Sequence, residues 1–553
     1  MTIPFTFHAS VADDAIAKVS RLFNATLDDI FAELFQNARR AGASEIAVDQ
    51  VDDPELGAVI RIIDDGPGLT DPKHLFMLGQ SAWADQVTSV EDAAGMGFFA
   101  LAGRHVRITV QQKGTNQSWV IEATPESFSG AAPILCSEGP MGHKGMTILI
   151  SVKHGENFVP AANYAAQYLP LDVIVDGTLA DRKDFLADAD FVEDWNGIRI
   201  GIYPMPQNRF RNDTNINFHG VTLHAKLPSL GQQFHRSYYV RLDVTHCTSL
   251  NLVLPARKEV VEDAGFDELR THIRTLFFQR ILAAGSHSLS FEAFTEAATL
   301  GVVLAPAVMM LRPFSPTHAD TDCDQQLPLQ MVDSDDILFD SNGGAIEEQN
   351  LAYALTNQHA PSTLFTPNSA FKGYAWYDQL ACLSVKHYVF IGDDHTKIIL
   401  PEKQYETTER PVQLEIHCEI GSNEGVDDWH LNTDWLIYGE DYVTLDEVDI
   451  AVTKCSKATS ADLVDFLENA LFCPSDDSDA GSFDQQRDWF RDEAEDRVIA
   501  LLETSAEADI NAVIRIVDRE LYWLRGKSNS VTIHIENGRV EVVGLHDASV
   551  AAE

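Results

Sequence analysis

The sequence predicts an α+β protein in three consecutive blocks: a helix-plus-sheet sandwich over residues 1–185, a second α+β block over 186–311, and an acidic α+β region over 312–553. Three observations predict it. Helix and strand periodicities alternate through the first block, short strands precede one long helical run in the second, and acidic, Ser- and Gly-bearing stretches interrupt the third. A chain of 553 residues is also too long for one hydrophobic core, at roughly 100–200 residues per domain.

In the first block, residues 27–42 (LDDIFAELFQNARRAG) place Leu27, Ile30, Phe31, Leu34, Phe35 and Ala38 on one helical face, with Gly42 as the stop. EIAVDQV and AVIRIID then read as strands around a turn at Asp52–Gly57. RHVRITVQQ, SWVIEAT and MTILISV continue the strand signal at 104–112, 118–124 and 146–152. In the second block GIRIGIYPM, GVTLHAKL, YYVRLDV and LNLVLP read as strands ahead of the helix FDELRTHIRTLFFQRILAAG.

After residue 312, THADTDCDQQ and DSDDILFDSNGG read as exposed acidic linker or loop. KHYVFIG, TKIILP and VQLEIHCEI read as strands, CPSDDSDAGSFDQQ as a further acidic stretch, and most of 484–525 as helix. VTIHIENGRVEVVGL closes the chain as a hairpin turning at Asn537-Gly538. There is no internal repeat.

Composition excludes several classes. The chain has 84 acidic against 40 basic residues, a net charge of −44, so a broad DNA groove or an anionic membrane face is disfavoured and nucleic acid is not an expected partner. Seven cysteines, without a CxxC pair, read as thiols in a reducing compartment and offer no zinc site. The opening MTIPFTFHASVADD lacks the basic start and apolar core of a secretion signal. The longest apolar stretch, Ala297 to Leu311, holds Gly301 and Pro306 and falls short of the ~20 residues a bilayer span needs. A cytoplasmic protein without a membrane segment is expected. His219, His246, His272 and the pair His417-Cys418 show no ligand spacing and read as packed or surface residues.

Three short motifs carry chemistry. Glu33 and Asn37 stand at i and i+4 on the first helix, a carboxylate able to orient or deprotonate water one turn from an amide oxygen able to hold a hard cation. Asp64-Asp65-Gly66-Pro67-Gly68 follows an apolar strand directly. It puts an acid at the strand end, where Asp64 can accept from an exocyclic amine, beside glycines that permit a sharp turn or a close approach to a flat ring. Gly95-Met96-Gly97-Phe98 leaves free amide donors ahead of a helical run, a cradle for phosphate. Gly145-Met146-Thr147 later opens another strand.

In this order and spacing the motifs resemble the GHKL superfamily of ATPases: gyrase B, the large heat-shock chaperones, histidine kinases and MutL. The resemblance covers residues 1 to about 185. It implies a Bergerat-type α/β sandwich that binds ATP with Mg2+, Glu33 as general base and Asn37 as magnesium ligand. It further implies that Asp64 binds adenine, Gly66 and Gly68 line the base pocket, Gly95, Gly97 and Phe98 border the phosphates, and Thr147 supports the adenine side. Residues 70–94 would be the ATP lid. Family members often carry a Lys after the Ser of a G-x-S element there, and Gly79-Gln80-Ser81-Ala82-Trp83 departs from that pattern. The second block resembles the family's S5-like transducer domain more loosely: Asn217-Phe218-His219-Gly220-Val221 matches its opening strand. Lys258, with Arg257 close behind, sits where a basic residue reaches the terminal phosphate.

The resemblance implies an ATPase whose cycle closes a lid and reorients the second block to act on a protein partner or client, in a chaperone-like or clamp-like assembly. ATP-dependent homodimerisation through residues 1–20 is a further implication. A non-hydrolysing ATP-gated scaffold shares the pocket, and a MutL-like DNA-processing ATPase is opposed by the charge. A histidine kinase needs a phosphoacceptor hairpin ahead of the ATP domain, and only His8 precedes Glu33.

Overall fold

The structure is a computed structural model. It describes residues 26–77, 97–140, 145–153, 155–205, 214–245, 250, 260–320, 327–341, 344–395, 397–400, 410–423, 425–439, 444–477, 480–502, 514, 529–536 and 539–547. The chain divides into two compact units, Met1–Ala307 and Val308–Glu553.

Thr26 starts the first helix: its hydroxyl accepts from the N–H of Asp29 at 3.2 Å, and α1 (Leu27–Arg40) follows. Asp28 and Asp29 occupy the first turn and Arg39 and Arg40 the last, each matching the sign of the helix macrodipole there. The stop falls where the sequence places it. Gly42 adopts φ +76°, and the N–H groups of Gly42 and Ala43 donate back to Arg39 and Ala38 at 2.9 and 3.0 Å. Ile30, Phe31, Leu34, Phe35 and Ala38 are buried as one face.

That face lies on an eight-stranded sheet. Its strands are β1 (Glu45–Asp53), β2 (Gly57–Asp64), β3 (Val106–Gln111), β4 (Ser118–Ala123), β5 (Leu135–Glu138), β6 (Gly145–Ser151), β7 (Asp172–Val175) and β8 (Thr178–Leu179), in the order β5-β4-β3-β6-β2-β1-β7-β8. β1 and β7 run parallel, while the two central pairs, β1–β2 and β2–β6, are antiparallel. Alternate residues Ile60 and Ile62, Ile108 and Val110, and Ile148 and Ile150 join α1 and α2 (Val159–Ala166) in one core. At roughly 1.5–3 kcal/mol for each fully buried large apolar side chain, this two-layer packing is what holds α1 in place.

A second sheet in the same unit has its own core. Strands β9 (Phe191–Trp195), β10 (Ile198–Pro204), β11 (Ile216–Phe218), β12 (Val221–Leu223) and β13 (Tyr238–Val244) run in the order β12-β11-β13-β10-β9. The long helix α3 (Ala264–Ala284) packs on it with α4 (Phe291–Thr299), capped by Asp263 and ended by Gly285 at φ +78°. The strand expected over GVTLHAKL stops at Leu223. Beyond it the Asn215 side chain replaces the ladder, accepting from the N–H of Ala225 at 2.8 Å and donating to its carbonyl at 2.7 Å. LNLVLP lies outside the described residues apart from Leu250.

The second unit opens with the pair β14 (Met310–Leu311) and β15 (Gln330–Met331). Its main sheet joins β16 (Ile337–Phe339), β17 (Leu364–Phe365), β18 (Ala381–Ile391), β19 (Lys397–Leu400), β20 (Gln413–Ser422) and β21 (Gly425–Thr433). Here the expectation for DSDDILFDSNGG is corrected. Ile337, Leu338 and Phe339 form buried strand β16, and Gly344 begins helix α5 (Gly344–Asn357). The flanking acids are what made this short apolar run look like linker. A further strand pair, β22 (Trp435–Tyr438) and β23 (Asp449–Val452), shares a core with α6 (Ser460–Leu471) and α7 (Phe483–Leu502). β24 (Asn529–Glu536) and β25 (Arg539–Asp547) form the expected closing hairpin, whose turn residues are not among those described. No described helix is long and apolar enough to cross a membrane.

Candidate functional site

The end of β2 meets the end of α1. By strand alternation Asp64 falls on the same face as Ile60 and Ile62, the face that α1 covers, and it is 8% exposed. Its Oδ1 accepts from the N–H of Gly66 at 3.0 Å, and the Met146 N–H supports it from β6. Burial pushes the Asp64 carboxyl up to about 6; the charge of Asp65 adds to this, and the two backbone donors oppose it.

Asp65 turns the other way. Its carboxylate accepts from the Ser44 N–H at 2.6 Å, the Glu45 N–H at 3.1 Å and the Ser44 hydroxyl, and these bonds hold it below the ordinary carboxylate range. One aspartate is buried at the site, and its neighbour ties the α1–β1 connection to β2.

The glycines explain how the loop is brought so close. A Cβ on Gly66 would stand 2.8 Å from the Asp64 carboxylate and 3.4 Å from the Cβ of Ala41, so this loop rests on the last turn of α1. Gly68, at φ +73°, has the Gln111 carbonyl 2.2 Å from where a Cβ would be, and the Lys113 N–H donates to the Pro67 carbonyl at 2.8 Å. Backbone packing requires the glycine at 68, whereas at 66 an added Cβ would press on the Asp64 carboxylate itself.

Ala41 lies one helical turn beyond Asn37, which lies one turn beyond Glu33. Both side chains are half-buried and flank the core-facing stripe on the loop side. The Asn37 carbonyl oxygen, the atom expected to hold magnesium, accepts from the Arg40 guanidinium at 3.4 Å.

Several predicted positions sit differently. Thr147 lies across from Ile63, whereas the residue across from Asp64 is Met146. Strand alternation therefore puts Thr147 on the opposite face of the sheet from Asp64. Gly97 opens the 3-10 helix Gly97–Leu101, and the Phe98 ring is core, edge-on to Phe76 at 5.4 Å. Gly95, Arg257, Lys258, most of the lid expected over 70–94, and the N-terminal segment fall outside the described residues. The structure thus describes the base and magnesium ends of the predicted site.

Three features had no sequence signal. The register that pairs Met146 with Asp64 is one. The second is Arg104, whose side chain is fully buried: it makes paired bonds to Glu156 at 2.6 Å each and donates to the Ser151 carbonyl at 3.1 Å, locking the turn before β3 to the loop after β6. The third is Gln36, 3% exposed on the side of α1 away from the sheet, where it donates to the His219 carbonyl of the second sheet.

Among the described residues, no three His, Cys, Asp or Glu side chains form a group that could hold a metal ion. His417 lies between His387 and His430 with ring centroids 4.7 and 3.9 Å apart and bonds Glu415 at 2.7 Å, in accord with a packed reading of that residue.

No protein-family model matches the chain, and no curated protein does. Solved structures similar to it include the ATPase region of Saccharomyces cerevisiae topoisomerase II, 11% identical over 42% of this chain and 76% of that one, with TM-score 0.30. Another is the N-terminal domain of a DNA repair protein, 16% identical over 49% of this chain and all of that one, TM-score 0.30. A third is the Aquifex aeolicus MutL ATPase domain complexed with ADP, 13% identical over 39% and 91%, TM-score 0.24. Likenesses of this size bear on neither activity nor ligand; the functional reading rests on the residues.

Proposed function

We propose that the first unit binds ATP with magnesium and hydrolyses it to ADP and phosphate to act on a protein partner. One observation carries the reading: buried Asp64 ends β2 on the α1 side, and Gly66 packs on Ala41, one turn from Asn37 and two from Glu33. Such a layout supports a carboxylate for the exocyclic amine of adenine at one end and two oxygen-bearing side chains toward the phosphates at the other. Guanine presents a carbonyl where adenine presents that amine, so the same carboxylate selects against it.

Magnesium fits the donor set, because this ion keeps several waters and takes few protein ligands. Asn37 Oδ1 would hold it, exchanging the Arg40 contact for the ion. Bound there, the ion offsets charge on the phosphate oxygens. Glu33 accepts the proton of the attacking water as its oxygen bonds the terminal phosphorus. The bond from that phosphorus to the bridging oxygen breaks, and ADP leaves with the electron pair. A net charge of −44 favours protein over nucleic acid as the partner.

Phosphate release from purified full-length protein tests the reading. The parent should turn over ATP, and Glu33→Ala should bind ATP yet lose about 100-fold or more in rate. Equal release by the two proteins would remove Glu33 from the chemistry.

A further inference from the structure

Gln36 stands between Glu33 and Asn37 in sequence but faces away from the sheet that α1 packs on. A polar side chain on that side of a surface helix is ordinarily solvated. This one is 3% exposed because the β11–β12 hairpin covers it. Its Nε2 donates to the His219 carbonyl, and its Oε1 accepts from Arg39 at 3.2 Å.

The hairpin tip is His219-Gly220, a two-residue connection between paired Phe218 and Val221, with φ +56° and +103°. Both central residues at positive φ is the primed turn geometry that favours Asn-Gly, and His at the first position is strained there. The tip is held at two further points. The Gly220 N–H donates to Asn217 Oδ1 at 2.8 Å, and Asn217 donates to Asp243 of β13 at 2.7 Å. A Cβ on Gly220 would stand 2.9 Å from the Leu169 side chain of the first core.

We propose that the Gln36–His219 bond is the strut coupling nucleotide at Glu33 and Asn37 to the second sheet, with Gln36 as a positioning residue that touches no nucleotide. The inference rests on the ATP reading above. A shift or rotation of α1 as Asn37 takes up its ligand is carried to a hairpin that has no slack, because a buried donor and a buried carbonyl cannot part without losing a hydrogen bond in a dry site.

Hydrogen exchange of residues 216–223 in the full chain, with and without ATP and magnesium, tests it beside calorimetry of ATP binding. In the parent, ATP should slow exchange there at least about fivefold, the lower end of ordinary coupling. Gln36→Met, similar in volume without the amide, should abolish that change and keep ATP affinity within about threefold of the parent. His219→Gly keeps the accepting carbonyl and should keep the change; it also covers the case in which Gln36→Met does not fold. A full response in Gln36→Met, its loss in His219→Gly, or a parent that binds ATP without slowing exchange would overturn the strut. A parent that binds no ATP in the calorimeter would overturn the site reading and the strut with it.

Discussion

Asp64 and Asp65 are chain neighbours whose carboxyl groups face opposite environments. Asp64 is buried on the α1 side of the sheet and raised to about 6, whereas Asp65 takes the amide and hydroxyl of Ser44 and stays below the ordinary range. Desolvation decides the first and hydrogen bonding the second. One pair of adjacent acids thus separates a desolvated group from a tether.

The strain on Asp64 has a sign. Its folded value of about 6 exceeds the ordinary 3.8, so between those pH values the folded state holds the proton that the unfolded state releases. Stability is therefore lost as pH rises from about 4 to about 6 and is level above that. Asp64→Asn removes the ionisation, and its folded state should gain on the parent by about 2 kcal/mol between pH 4.5 and 7.5. Urea unfolding of both proteins at the two pH values reads this directly. A constant difference between them would mean that Asp64 is not held neutral by burial.

Asp65→Ala should cost about 1–2 kcal/mol by freeing the Ser44 and Glu45 amides, and leave ATP affinity within about threefold. Thermal melts paired with calorimetry check both halves. A large loss of affinity without loss of stability would exchange the roles of the two aspartates.

Arg104 is fully buried in the first unit and paired with Glu156. Its guanidinium has no exposed surface, while Glu156 keeps 22% of its side-chain surface. Arg104→Ala should destabilise by about 2–4 kcal/mol, since it empties a fully buried site and takes the donor from half-buried Glu156 and the Ser151 carbonyl, and Arg104→Met with Glu156→Gln should recover much of that. Denaturant midpoints settle it; equal losses in single and double variants would show that packing matters and the pair does not.

Much of the first unit was legible because its signals are local. The periodic face Ile30, Phe31, Leu34, Phe35 and Ala38 and the stop at Gly42 depend on residues within a few turns. The Asp-rich loop was legible as a motif, but the opposed fates of its two aspartates depend on Ser44 and Met146, brought there by strand register. Thr147 lies on the other face from Asp64 for the same reason: a one-residue step along β6 moves a side chain to the other face, and no sequence spacing fixes that register. Strand β16 was hidden because three apolar residues between acids give too short a period to read. Gln36 has a hydrophilic side chain and a partner 183 positions away, so only the fold brings out the contact.

Calorimetric titration of ATP with magnesium into the parent and into Asp64→Asn, at pH 7.5, tests the central claim most directly. The account predicts saturable one-site binding by the parent, weaker binding of GTP, and an ATP affinity at least about 30-fold lower in Asp64→Asn, the loss expected when a buried charged acceptor is removed. Absence of ATP binding by the folded parent, or equal affinity in the two proteins, would contradict it.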